Sequence, residues 1–208
     1  MCLASCTSGA GQAHTGGTTS GKLESRGMTV WVSLLRGVNV GGRNRVSMPL
    51  LRTALTDAGF SPVRTYVQSG NVITGSAYGE AAQVADAVAG VLRNRFDVDV
   101  PVVVRSPEQL REVLRWCPFP EDVAARPAAV HVVHLMGEPA ASAVAEVLAQ
   151  DWSPEALAVR GTELVIRYAE TMHASRLQYA ALLRRLDTDG TARNWRTLQA
   201  LVDLTADA

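Results

Sequence analysis

Apolar and polar positions change period several times along the chain, and each change marks an element. Residues 29–36 (TVWVSLLR) are a dense apolar run and are read as a strand. Residues 37–46 hold Gly, Asn and Arg and are read as a loop. Ser47 then stands where a helix N-cap belongs, and Leu50, Leu51, Ala54 and Leu55 form a helical stripe that Gly59 ends. Residues 62–68 and 71–74 are two further strands, joined by a tight turn at Ser69-Gly70. Val84, Val88, Val91 and Leu92 give residues 80–95 the spacing of a helix, and 100–105 (VPVVVR) returns to a strand. The order β-α-β-β-α-β is the split βαβ, or ferredoxin-like, plan.

A second set follows. Ser106-Pro107-Glu108 starts a helix with a cap, a proline and an acid, and that helix ends before Pro118. Pro118, Pro120 and Pro127 make 118–127 a boundary. Beyond it, 129–135 is a strand, 140–150 a helix, 156–160 and 163–168 strands turned at Gly161-Thr162, and 175–186 and 194–203 helices. The expected fold is therefore α+β: a ferredoxin-like half at 28–117 and a second α+β half, β-α-β-β-α-α, at 128–208. The second half is a looser copy of the first, without a convincing sequence repeat. Residues 1–27 are rich in Gly, Ser and Thr and lack apolar periodicity. They are expected to be either a disordered extension or a mis-called start, with folded structure beginning at Met28.

Composition narrows the class. With 47% hydrophobic residues the chain is not a disordered one. No apolar run approaches the roughly 18 residues of a membrane span. A formal net charge of zero argues against indiscriminate coating of nucleic acid. Cys2, Cys6 and Cys117 form neither a disulfide framework nor a zinc pattern, so a reducing, cytoplasmic setting is expected and no metal site. His131 and His134 are three apart on a predicted strand and point to opposite faces. Local charge says more than the total. Residues 25–79 carry six arginines against Asp57 alone, 80–163 carry seven against thirteen acids, and 171–202 carry five against Asp187 and Asp189. Two basic segments flank an acidic middle, and they form one electropositive patch if they meet in space.

Four short segments carry candidate chemistry. Arg36-Gly37-Val38-Asn39-Val40-Gly41-Gly42-Arg43-Asn44-Arg45 lies between a strand and a helix start, where backbone amides and guanidinium groups can hold an oxyanion. A wide turn explains the same glycines. Neither the P-loop nor the G-x-G-x-x-G pattern is present. Gln68-Ser69-Gly70-Asn71 is a hairpin tip whose polar groups could face the same edge. Thr191-Ala192-Arg193-Asn194-Trp195 precedes the last helix, where Thr191 or Asn194 could cap and Arg193 is a cation at the positive helix end. His173-Ala174-Ser175-Arg176-Leu177 repeats that arrangement, with Ser175 as N-cap. None of these loops contains a carboxylate, so they suit anion binding better than acid–base work.

The words LLRGVNVGGRNRVSM, LRTAL, VRTYVQSGNV, VPVVVRS and TARNW, in this order, resemble the domain-of-unknown-function family sixteen-ninety-seven, from about Val30 to Leu201. The resemblance implies a ferredoxin-like N-terminal half with a second α+β half packed on it, and it implies no reaction. Members carry R-G-[IV]-N-V-G-G, here Arg36 to Gly42; Q-S-G-N, here Gln68 to Asn71; and T-x-R-N-W, here Thr191 to Trp195. Where members show S-K-L, this chain has Ser175-Arg176-Leu177, so a role that needs a lysine amine is not carried over.

The reading that results is a small anionic, phosphorylated ligand bound between the two halves. Its contacts are expected from Arg36, Gly37, Asn39, Gly41, Gly42, Arg43, Ser69, Asn71, Arg176, Arg193 and Asn194. No cofactor and no catalytic residue follows from the sequence. Two alternatives stay open. One is an interaction module, such as a homodimer through an open sheet edge. The other is RNA or DNA binding on a sheet face, which the missing RNP1 pattern and the 5% aromatic content disfavour.

Overall fold

A computed structural model describes residues 28–206; the expectation for 1–27 lies outside the described residues. The chain runs β1 (Thr29–Leu35), α1 (Met48–Asp57), β2 (Val63–Tyr66), β3 (Asn71–Ser76), α2 (Ala81–Phe96), β4 (Val102–Arg105), α3 (Pro107–Trp116) and α4 (Pro120–Ala125). It continues with β5 (Val130–Leu135), α5 (Ala141–Leu148), β6 (Ala156–Arg160), β7 (Glu163–Arg167), α6 (Tyr179–Arg185), β8 (Gly190–Asn194) and α7 (Trp195–Ala206). The strands form two four-stranded antiparallel sheets, ordered β2-β3-β1-β4 and β6-β7-β5-β8.

The two orders are the same order, and the likeness extends to register. Val32 pairs with Arg105 on one side of β1 and Leu34 with Asn71 on the other. In the second sheet Val132 pairs with Arg193, and His134 with Glu163. Each half is thus β-α-β-β-α-β followed by a helix, with the short α4 in the proline-rich boundary between them. The second half therefore holds one strand more than the sequence pattern predicts. Residues 190–194 lack an apolar alternation and read as the approach to a helix. They pair with β5 instead; Arg193 bonds across to the first half, and the Thr191 hydroxyl accepts from it within the strand.

A second departure concerns Ser175. Helix α6 begins only at Tyr179, so Ser175 does not cap it. The Ser175 hydroxyl donates to Glu155 Oε1 at 2.7 Å and accepts from the Leu177 amide at 3.0 Å, which ties the loop before α6 to the start of β6. The start of α3 is as expected: Ser106 Oγ accepts from the Gln109 amide, and Gln109 Oε1 accepts from the Ser106 amide, a complete capping box.

Three apolar clusters hold these layers. Trp31, Leu35, Val72 and Val104 pack one face of the first sheet against α1 and α2, through Leu51, Leu55, Val88 and Leu92. Leu164, Ile166 and Val133 pack one face of the second sheet against α5 and α6, through Val147, Leu182 and Leu183. The remaining faces of both sheets, carrying Val32, Leu34, Ile73 and Val103 from one and Val132 and Val165 from the other, share a cluster with Leu110 and Val113 of α3 and Trp195, Leu198 and Leu201 of α7. The central strands of each sheet are covered on both faces. At roughly 25 cal/mol per Å² of apolar surface, this shared cluster binds the halves into one body. No described helix is long and apolar enough to cross a membrane.

Candidate functional site

The alternation of β4 and β8 sends one arginine from each half across the shared cluster. Arg193 leaves β8 and reaches the first half. Its Nε donates to Asn71 Oδ1, and its Nη2 donates to the carbonyls of Leu35 (2.8 Å), Ser69 (3.1 Å) and Gly70 (3.4 Å). Nη1 donates to Thr191 Oγ1 and the Ala192 carbonyl, both at 2.8 Å. Burial pushes its pKa down to about 10, which leaves it a cation at neutral pH. The tight turn it grips depends on Gly70. There φ is +73°, and an added Cβ would meet Leu35 Cβ at 2.7 Å.

Arg105 leaves β4 and reaches the second half in the same way. Its Nε donates to Glu163 Oε1 at 2.8 Å, and its Nη2 donates to the Leu135 carbonyl at 2.6 Å and the Thr162 carbonyl at 3.4 Å. Leu35 and Leu135 end equivalent strands, so the two arginines bind equivalent carbonyls. His134 Nδ1 lies 2.6 Å from Glu163 Oε2, and the His134 side chain is wholly buried. Burial alone would raise the Glu163 carboxyl, but His134 and Arg105 outweigh it and hold the pKa below the usual carboxylate range. On the opposite face of β5, His131 stacks edge-on against Tyr168, and burial lowers its pKa to about 4.

These contacts place the residues singled out by sequence. Ser69, Asn71 and Arg193 do meet at the boundary between the halves, and Arg36 joins them there through an ion pair with Asp189. The expected cation at a helix end is not one. The Arg193 guanidinium turns away from α7, and Asn194 Oδ1 caps that helix by accepting from the Thr197 amide at 2.9 Å. Asn39 stitches its loop together: Oδ1 accepts from the Val46 amide, and Nδ2 donates to the carbonyls of Val46 and Gln68. Around it the loop 37–46 is a small hairpin, with Asn44 Nδ2 donating to the Gly37 carbonyl and the Arg43 amide to the Val40 carbonyl. At Gly41 and Gly42, with φ of +58° and +77°, an added Cβ would meet nothing within 4 Å, so backbone conformation rather than clearance accounts for them. Arg43 and Arg45 are exposed at its tip.

Arg176 is not with the others. It lines a cleft of about 800 Å³ in the second half, between the 151–155 loop and α6, together with Trp152, Glu155, Arg184 and Arg185. Glu155 is already used: it accepts from Ser175 and from the Ala169 amide. Arg185 lies over the Trp152 ring, 5.5 Å from its centroid, and donates to Gln150. Arg176 and Arg184 make no hydrogen bond or ion pair among the described residues and are exposed. Sequence reasoning did not single out Arg105 or Glu163, and it placed His134 on its strand without a partner. The available signal was a charge at each end of an otherwise apolar strand pair, VVVR and ELVI, which burial tolerates only with a partner. No group of His, Cys, Asp and Glu able to hold a metal ion occurs among the described residues.

The fold and these contacts define a two-sheet α+β protein whose halves repeat one topology and clasp each other through buried arginines. The chain belongs to the family described as "Protein of unknown function (DUF1697)", whose model matches residues 28–164. The conserved bacterial protein SP0830 from Streptococcus pneumoniae has a similar solved structure: TM-score 0.63 at 23% sequence identity, covering 85% of this chain and 98% of that one. At that identity the likeness is one of fold. No match to the chain is found among curated proteins.

Proposed function

We propose that the protein binds a small anionic, phosphorylated ligand, and that Arg176 and Arg184 on the cleft of the second half supply the charged contacts. The observation that carries this reading is a difference in commitment. Arg193 spends its donors on protein oxygens and Arg36 is paired with Asp189, whereas Arg176 and Arg184 line a cleft of about 800 Å³ with their guanidinium groups unused among the described residues. That volume falls within the range of about 300–1,000 Å³ usual for small-molecule sites. Of the three carboxylates that line the cleft, Glu155 is occupied by Ser175 and a backbone amide, Asp151 accepts from the Ser153 amide, and Glu170 makes no ion pair with either arginine. Guanidinium pairs suit phosphate because two parallel N–H donors match two of its oxygens.

The site so read lies within the second half and not between the halves. The same reading takes each half as a ferredoxin-like unit, supported by the strand order β2-β3-β1-β4 and its repeat. It takes the protein as cytoplasmic, supported by the free thiol of Cys117.

A thermal-shift series on the full chain with nucleotides, sugar phosphates and polyphosphate tests it. A ligand at about 100 times its Kd adds about 2.7 kcal/mol, a rise of about 5–11 °C for a protein of this size. Arg176→Ala and Arg184→Ala should each abolish that rise while leaving the Tm of the free protein nearly unchanged. A rise that survives both substitutions removes the cleft from consideration. A flat panel turns attention to protein interactions through β2 and β6, two of the four strands that pair with a single neighbour.

A further inference from the structure

The two arginine contacts give the molecule an internal control. Arg193 clasps the first half through a neutral amide, Asn71, with Leu34 beside it in register and Val103 on the next strand. At the equivalent positions of the second half stand Glu163, His134 and Thr191. Clasping an arginine across this boundary therefore does not need a carboxylate, and burying one carries a desolvation penalty. Here that penalty is offset by Arg105 and by His134, and the carboxylate sits at an opening between the halves.

Glu163 is not sealed. Its side chain is 11% exposed and lines a crevice of about 200 Å³ between α3 of the first half and the β6–β7 turn of the second. Glu112 and Trp116 form the α3 wall, and Arg160 stands on the turn with its guanidinium 5.9 Å from the Trp116 ring centroid. Glu112 and Arg160 are exposed at the mouth and form no ion pair with each other or with any other described residue. One uncommitted carboxylate, Glu112, one guanidinium without an ion-pair partner, Arg160, and an indole face thus converge on a space fit for a few heavy atoms, whose floor is the Glu163 side chain already held by Arg105 and His134. We infer that this crevice between the halves is a binding site for a small ligand bearing both an ammonium and a carboxylate group, such as a free amino acid. The ammonium goes to the Glu112 carboxylate beside the Trp116 ring, and the carboxylate goes to Arg160. This site is separate from the Arg176 cleft, and its fate does not depend on that reading.

The test is a titration of the full chain followed through the Trp116 indole N–H resonance, assigned by its loss in Trp116→Phe. L-Alanine is the probe; ethylammonium and propionate each carry one of its two charges. A saturable shift with L-alanine, at least tenfold weaker for either single-charge probe, is the expected result. Glu112→Gln and Arg160→Gln, both at exposed positions, should each weaken L-alanine binding at least tenfold, while Arg176→Ala should leave it unchanged. Absence of a saturable shift up to 100 mM L-alanine, or equal binding by both variants and the wild type, overturns the inference.

Discussion

Arg105 and Arg193 occupy equivalent strand positions and bind equivalent carbonyls, yet they meet different side chains. Arg193 meets an amide with no proton to lose; Arg105 meets a carboxylate with a buried imidazole 2.6 Å from its second oxygen. The geometry of the clasp is thus set by topology, since β4 and β8 each carry an arginine beside the central strand of their own sheet that reaches the opposite half. Its electrostatics are set separately, by one residue on β3 and one on β7. A repeated fold can therefore keep a structural contact at one end and make an ionisable one at the other.

The largest expected effect separates these two ends by pH. Arg105→Met strands the Glu163 carboxylate in the interior, and loss of one partner from a buried pair costs about 3–5 kcal/mol. At pH 7 the urea midpoint should fall accordingly. Without Arg105 the Glu163 pKa rises while His134 still opposes the rise, so part of that loss should be recovered as pH falls from 7 to 5. Arg193→Met strands only neutral acceptors, and its cost of about 3 kcal/mol should be the same at pH 5 and pH 7. Equal pH dependence in the two variants would show that the Glu163 charge is immaterial to the fold.

A smaller effect concerns the wild type in acid. His131 titrates near 4 in the fold and near 6.5 in an unfolded chain, so protonation favours unfolding. Its contribution is complete above pH 6.5 and is lost as pH falls towards 4, up to about 3 kcal/mol. Glu163, depressed in the fold, contributes above about pH 4.3 and is lost only below it. Stability should therefore fall in two stages, and His131→Phe should flatten the upper one. A slope between pH 6.5 and 4 that is unchanged in that variant would rule out His131 as its source.

What can be read from the sequence follows the same division. The apolar strands β1, β3, β5 and β7 are legible, because a strand covered on both faces leaves a dense apolar run. β8 is not, because in GTARN Arg193 is satisfied across the boundary, Thr191 by Arg193 and Asn194 at the start of α7, which leaves no apolar alternation. The motif residues Ser69, Asn71 and Arg193 can be recognised as belonging together, but their purpose is not visible in the sequence. The same guanidinium that could hold an anion here holds carbonyl oxygens, and only distance distinguishes the two. The internal repeat is faint for a related reason. It lives in strand order and register, which tolerate Leu34 against His134 and Asn71 against Glu163.

The smallest effect lies one residue beyond each arginine. Ser106 and Asn194 follow Arg105 and Arg193 directly, and each caps the helix after its strand by accepting from the amide three residues on, Gln109 at 3.2 Å and Thr197 at 2.9 Å. Here the two halves use different side chains for one neutral task, with no charge to divide them. Ser106→Ala and Asn194→Ala should each cost about 1 kcal/mol. The two losses should add in the double variant, because the caps share no partner, and neither should vary between pH 5 and pH 7. The capping box gives Ser106 a second bond through the Gln109 side chain, so Gln109→Ala should lower stability by a further few tenths of a kcal/mol on the α3 side only. A double variant whose loss departs from the sum by more than about 0.5 kcal/mol would mean that α3 and α7, which pack on each other in the shared cluster, transmit the state of one cap to the other.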